Sequence, residues 1–169
     1  MDRCYKFIVS LLVLTYALVP CSQVLALSQE LDNKNNLPLE SVKQEKKEVI
    51  NISSDELLLL SKLITGEARG ESYEGQLAVA AVVINRVKDS RFPNSIKEVI
   101  YQKNAFSVVN DGSINMQYTE SAYKAAREAL YGQDPTNKAI YFWNPDIATC
   151  QWIRTLDPYM RIGNHVFAK

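Results

Sequence analysis

The chain is poor in the residues that build cross-links and metal centres. Its 169 residues include 3 Cys and 1 His, too few for a disulfide scaffold or a His-rich metal site. Charge of one sign is also missing, since 19 Lys and Arg face 19 Asp and Glu. Binding to nucleic acid through phosphates needs a basic surplus, so that class is excluded. Gly and Pro number 6 each, which excludes a collagen-like or low-complexity chain. What is present is 47% hydrophobic and 22% charged, the make-up of a globular protein. The length allows one ordinary domain with a tail.

One long apolar run stands at the start. Arg3 and Lys6 precede it, residues 7–19 form it with Ser10 and Thr15 as interruptions, and Val24-Leu25-Ala26 follows. That order predicts an export signal over residues 1–26. A retained membrane anchor is the alternative, but the run is shorter than the about 20 apolar residues such an anchor uses. With the signal, membrane contact is transient. Pro20 stands where a lipoprotein signal would place a small residue before Cys21. Cys4 and Cys21 would leave with the signal. Cys150 is then the one remaining cysteine, expected as a small buried residue, and its only candidate base is His165.

Residues 27–50 hold no aromatic residue and mix Lys34, Lys43, Lys46 and Lys47 with Glu30, Asp32, Glu40, Glu45 and Glu48. Such a segment buries too little to fold alone and predicts a flexible charged tether; a surface helix over residues 39–50 is the alternative. The folded unit is expected over residues 51–169, long enough for one core.

Within that unit, Ser53-Ser54-Asp55-Glu56 fits a capping box. Leu57, Leu60, Ile64 and Ala68 then recur at helical spacing, and the helix should stop between Gly66 and Gly70. A second helix over residues 72–88 is apolar all round from Leu77 to Ile84, the mark of a central buried helix. Ser95 with Glu98 opens a short third helix to about Gln102. Asp111-Gly112 signals a turn. Thr119 caps a fourth helix over residues 120–131, closed by Gly132. Beyond residue 138 the pattern is β-prone: residues 139–143, 150–153 and 161–167 are strand candidates. The fold class is α+β, a helical body followed by a small C-terminal antiparallel sheet.

The stretch Gly66-Glu67-Ala68-Arg69-Gly70-Glu71 is the most informative. An acid at the junction of two helices faces partial burial, which favours the protonated carboxyl that a general acid needs. If the helix ran on, Glu67 and Glu71 would share a face at i, i+4 and resemble the carboxyl pair of a retaining glycosidase. The other reading has one acid, Glu67, with Arg69 and Glu71 holding the loop. A solvated helix end with a surface ion pair is the bland one.

Tyr141, Phe142, Trp143, Trp152 and Tyr159 cluster late in the chain among Asn144, Gln151 and Arg154. Aromatics interspersed with amides suit a sugar-binding groove. They equally suit a sheet core; alternation along the strand would send one of Phe142 and Trp143 inward and the other to the groove. His165 is either a hydrogen-bonded structural residue or part of that groove. Asn85 and Arg86 end the buried helix and reach a cleft or solvent.

Residues 63–87 (LITGEARGESYEGQLAVAAVVINRV) resemble the spore cortex-lytic enzymes, the SleB/CwlJ-type bacterial cell-wall hydrolases. Arg91-Phe92-Pro93-Asn94-Ser95-Ile96, the run from Ala105-Phe106-Ser107 to Asp111-Gly112, Ala139-Ile140-Tyr141-Phe142-Trp143-Asn144-Pro145 and Ile162-Gly163-Asn164-His165-Val166-Phe167 look like later blocks of that family, in order. Trp143 stands where Phe is more usual. The resemblance covers about residues 57–168. It implies a lysozyme-like catalytic domain acting on peptidoglycan glycan strands outside the cell, in the wall or the spore envelope. Members are similar to lytic transglycosylases, which cleave after N-acetylmuramic acid and leave a 1,6-anhydro end. The catalytic acid carries over to Glu67. Expected sugar contacts are Arg69, Glu71, Phe106, Ser107, Tyr141, Trp143, Asn144, Trp152 and His165, with no metal and no cofactor. An accessory spore protein would be a further partner.

Three other functions remain. A muramidase would let water attack, with Glu71 assisting. A zinc amidase is disfavoured by the single histidine. A non-catalytic wall-binding protein would keep the groove without turnover.

Overall fold

The structure is a computed structural model that describes residues 47–169. The expected export signal, and the expected tether up to residue 46, lie outside the described residues. Residues 47–50 form no helix. Val49 N–H donates to the Leu130 carbonyl at 2.8 Å, and Ile50 and Ile52 pack on the core.

Local caps place the helices. Helix α1 spans Ser54–Glu67; the Ser53 side chain accepts from Glu56 N–H, and the Glu56 carboxylate accepts from Ser53 N–H, which closes the expected capping box. Helix α2 spans Tyr73–Lys88, with Ser72 accepting from Gly75 N–H. Helix α3 is Ile96–Ile100, capped by Ser95. Two pieces then appear where only a turn is expected: helix α4 at Ser107–Asn110 and a 3₁₀ turn at Ser113–Asn115. Between them lies Gly112 at φ 81°, the left-handed geometry that glycine adopts without strain. Helix α5 spans Glu120–Leu130 and is capped by Thr119.

Helix α2 lies at the centre. Every residue from Ala78 to Ile84 is buried, as its continuous apolar run requires. Leu60, Leu63 and Ile64 of α1, Ile96, Val99 and Ile100 of α3, and Ala122, Ala126, Ala129 and Leu130 of α5 join it in one core. The alanines of α5 let its backbone approach closely, while its charged residues stay on the outer face.

The C-terminal sheet has three antiparallel strands in the order β1-β3-β2: β1 at Tyr141–Trp143, β2 at Met160–Ile162 and β3 at His165–Ala168. Phe142 pairs with Phe167, and Ile162 with His165. Alternation along the strands gives the sheet two faces. Phe142, Phe167, Ile162 and Met160 pack toward Ala78 and Val82 of α2. Trp143, Val166 and Ala168 face the other way, under Ala148, Ile153 and Leu156.

The α+β expectation agrees with this architecture. Two strand expectations are corrected. Residues 150–153 are not a strand; they make a turn leading into a 3₁₀ turn at Ile153–Thr155, in which Ile153 packs on the outer sheet face while Cys150 and Trp152 are exposed. Residues 161–167 split into two strands, since Gly163 at φ 58° reverses the chain. Cys150 is exposed rather than buried.

Candidate active site

The site begins where α1 ends. Glu67 is the last residue of that helix, and Ala68 caps it by donating to the Ile64 carbonyl. Gly70 at φ 81° then turns the chain away. Glu67 and Glu71 are therefore not neighbours on one helical face. Gly66 matters for a different reason, because a Cβ there would meet the Val108 side chain. Its bare backbone lets the start of α4 come down onto the end of α1. That approach puts two donors on one carboxylate oxygen. Glu67 Oε1 accepts from the Ser107 hydroxyl at 3.0 Å and from Val108 N–H at 3.1 Å. The second donor is a first-turn N–H of α4, which has no partner within its own helix. Glu67 itself is half-buried, and Oε2 makes no hydrogen bond among the described residues.

Glu71 has a different environment. Its side chain is 6% exposed. Oε1 accepts from Asn164 Nδ2 at 2.9 Å and Oε2 from Asn164 N–H at 3.3 Å. A Cβ at Gly163 would strike Oε2, and one at Gly75 would come within 2.9 Å of the Glu71 Cβ. Two glycines, one in α2 and one in the hairpin turn, thus shape a slot for this carboxylate. Glu71 ties the α1–α2 junction to the β2–β3 turn. Arg69 is exposed and reaches Met116 Sδ at 3.7 Å.

His165 lies beside Glu71, its Nδ1 3.9 Å from Glu71 Oε1. The ring meets Phe142 edge-on, with centroids 5.2 Å apart. Burial lowers its pKa, opposed in smaller measure by the charges of Glu71 and then Glu67. Phe142 continues the contact to Phe106 at 6.3 Å, and Phe106 immediately precedes Ser107.

The aromatic expectations divide. Trp152 is 56% exposed and meets Tyr141 edge-on at 5.3 Å, so these two offer an open apolar surface. Trp143 is 8% exposed and Phe106 is 3% exposed. Trp143 is enclosed under the 144–156 loop, and Phe106 is wedged between Phe142 and Arg86. Of the Phe142 and Trp143 alternatives, both are packed, on opposite sheet faces. Asn144 opens the loop, its Oδ1 accepting from Asp146 N–H at 2.9 Å.

Arg86 is the residue that sequence reasoning left undecided. It is buried, its Nε donates to the Ile140 carbonyl at 2.7 Å, and its guanidinium lies over the rings of Phe92, Phe106 and Tyr141. Burial lowers its pKa to about 10, partly offset by Tyr141 and Glu67. It remains a cation at neutral pH, against the ring of Phe106, which precedes Ser107. No sequence signal separates this arginine from a solvated helix end. Among the described residues no group of three or more His, Cys, Asp or Glu gathers as a metal site.

A protein-family model described as Cell Wall Hydrolase matches residues 70–168; it starts just past Glu67 and includes Glu71 and His165. The chain is 42% identical over 139 residues to the spore cortex-lytic enzyme of Bacillus subtilis strain 168, covering 80% of this chain and 46% of that protein. It is 28% identical over 127 residues to the cell wall hydrolase CwlJ of the same organism, covering 70% of this chain and 88% of the relative. The chain thus spans about half the length of the spore cortex-lytic enzymes it matches. Two solved structures are similar at 44% identity over 70% of this chain. One is the catalytic domain of the Bacillus cereus SleB protein, with TM-score 0.66 and 93% of it covered. The other is the catalytic domain of the germination-specific lytic transglycosylase SleB from Bacillus anthracis, with TM-score 0.67 and 98% covered.

Proposed function

Because the chain belongs to the cell wall hydrolase family, we propose that it degrades peptidoglycan by cleaving the glycan strand, with Glu67 as general acid and then general base. The observation that carries this reading is the asymmetry of the Glu67 carboxylate. Ser107 and Val108 both donate to Oε1, so a proton on this carboxyl belongs on Oε2, the oxygen without a partner among the described residues. That oxygen is the one able to donate to a glycosidic oxygen.

In the lytic transglycosylase course, Oε2–H protonates the leaving oxygen as the C1–O bond breaks and its electron pair goes to that oxygen. The C6 hydroxyl of the same sugar then attacks C1. Its proton returns to Glu67, and the product carries a 1,6-anhydro ring. One carboxylate suffices. The surroundings of Glu71 support this over a muramidase in which Glu71 assists water: both Glu71 oxygens are already engaged by Asn164, and the side chain is enclosed. The relative described as a germination-specific lytic transglycosylase supports the same outcome. Arg69, Tyr141 and Trp152 would flank the strand, and the protein would act after export, at the wall or spore envelope.

Incubation of the purified protein and its Glu67→Gln variant with isolated peptidoglycan tests this. Mass spectrometry of soluble, unreduced fragments should find anhydro-muropeptides from wild type and none from the variant, whose circular dichroism and melting temperature stay as in wild type. Reducing-end fragments would make it a muramidase. Active Glu67→Gln would remove the assigned acid. Retention on peptidoglycan without fragments would indicate a wall-binding protein.

A further inference from the structure

One buried polar atom beside the site has no partner among the described residues. His165 is 8% exposed, and its Nδ1 makes no hydrogen bond among the described residues. A buried ring nitrogen without a partner is costly, so what faces it has meaning. Facing it is Glu71 Oε1 at 3.9 Å, too far for a hydrogen bond and close enough for charge to matter. The slot that holds Glu71 is built for a carboxylate. Asn164 supplies two donors, Gly163 and Gly75 leave the room, and the start of the 16-residue helix α2 follows at once with its positive dipole end.

We propose that Glu71 is a positioning residue that holds His165, the only histidine of the chain, as the Nδ1–H tautomer, so that Nε2 serves as a hydrogen-bond acceptor for a hydroxyl or acetamido N–H of the bound glycan. A carboxylate only accepts, so a proton on Nδ1 is attracted to it, whereas a lone pair there would be repelled. In a neutral imidazole the choice at one nitrogen fixes the role of the other. The ring cannot swivel freely, because Phe142 stands against it edge-on. Among the described residues, the charged groups that act on it are Glu71 from the α1–α2 junction and Glu67 from α1; β1 contributes the apolar Phe142, and β2 pairs the apolar Ile162 with it. The His165 side chain keeps 11% of its surface open.

The effect on turnover rests on the reading of Glu67 as the acid; the tautomer does not. One histidine per chain makes the test direct. In protein labelled with ¹⁵N-histidine, two-bond proton–nitrogen correlation spectra above the histidine titration contain a single imidazole. Wild type should show a protonated Nδ1 and an unprotonated Nε2. Glu71→Gln should move the population toward the Nε2–H form and lower turnover at least about tenfold, as a wrong tautomer does elsewhere. A wild-type spectrum with the proton on Nε2 overturns the proposal even if the variant fails to fold. A folded Glu71→Gln protein with unchanged tautomer, or with a switched tautomer and full activity, also overturns it. If the tautomer is as stated while Glu67→Gln remains active, the assignment of the acid fails and the Glu71–His165 relation stands.

Discussion

The Ser107 hydroxyl lies 3.0 Å from Glu67 Oε1, although the two residues are 40 positions apart in the chain. The bond joins the last residue of one helix to the first of another, and it leaves the second carboxylate oxygen without a hydrogen bond among the described residues. Its removal should be felt in chemistry more than in folding. Ser107→Ala keeps the Val108 N–H donor and loses the other. A hydrogen bond to a charged group is worth about 1.5–3 kcal/mol, so kcat should fall roughly tenfold to a hundredfold with little change in KM. Wild-type kcat in fragment-release assays would show that the hydroxyl does not orient the acid.

Gly66 is the reason the two helices can meet there. In Gly66→Ala the new methyl strikes the Val108 side chain, and Val108 is itself buried. Overpacking of this kind costs about 1–3 kcal/mol. The displacement would also pull both donors off Glu67. Thermal melts and activity should therefore fall together in this variant, unlike in Ser107→Ala. A normal melting temperature with normal turnover would mean the segment yields without consequence.

The two tryptophans should separate cleanly. Trp152 is open to solvent and touches Tyr141 by its edge. Trp152→Ala should weaken retention on peptidoglycan severalfold while stability changes by no more than about 0.5 kcal/mol, the range of surface substitutions. Trp143 is enclosed with Val166 and Ala168. Trp143→Ala should cost about 3–5 kcal/mol of stability. Pull-down assays beside chemical denaturation would expose a reversed pattern.

His165 sets a pH limit on stability. Burial makes the folded histidine a weaker base than the unfolded one, whose ordinary value is 6.5, and Glu71 and Glu67 only partly offset this. Below pH 6.5 the unfolded chain holds more protons, so stability falls as pH drops and levels off once the folded histidine also titrates. Above that pH the slope from this group is absent. His165→Gln should flatten this part of the stability curve, read by denaturant melts before the carboxylates begin to titrate. An unchanged slope would assign the pH dependence to other groups.

Much of the helical body could be read from short-range pattern. Ser53, Ser72, Ser95 and Thr119 mark helix starts because a cap bonds within three residues of itself. The central position of α2 follows from an apolar run with no polar face. Glu67 is singled out by the family resemblance of its surrounding blocks, since a charge cluster at a helix end is by itself as readily a solvated surface. The strand expectation for residues 150–153 differs from the structure because β-propensity does not say whether a segment pairs with an edge strand or turns over the sheet. Tertiary packing sets Ile153 against the outer sheet face and leaves Trp152 exposed.

The sequence by itself determined the elements whose stabilising contacts lie within a few residues: the capped helices and the all-round apolar α2. Only the tertiary structure decided how the carboxylates differ. Glu67 meets donors 40 and 41 positions away, and Glu71 meets Asn164 at 93. It also decided that Arg86 is a buried cation beneath three rings and that Trp143 is enclosed while Trp152 is open. These outcomes depend on which surfaces close against each other once the core forms, and no local period or spacing encodes that choice.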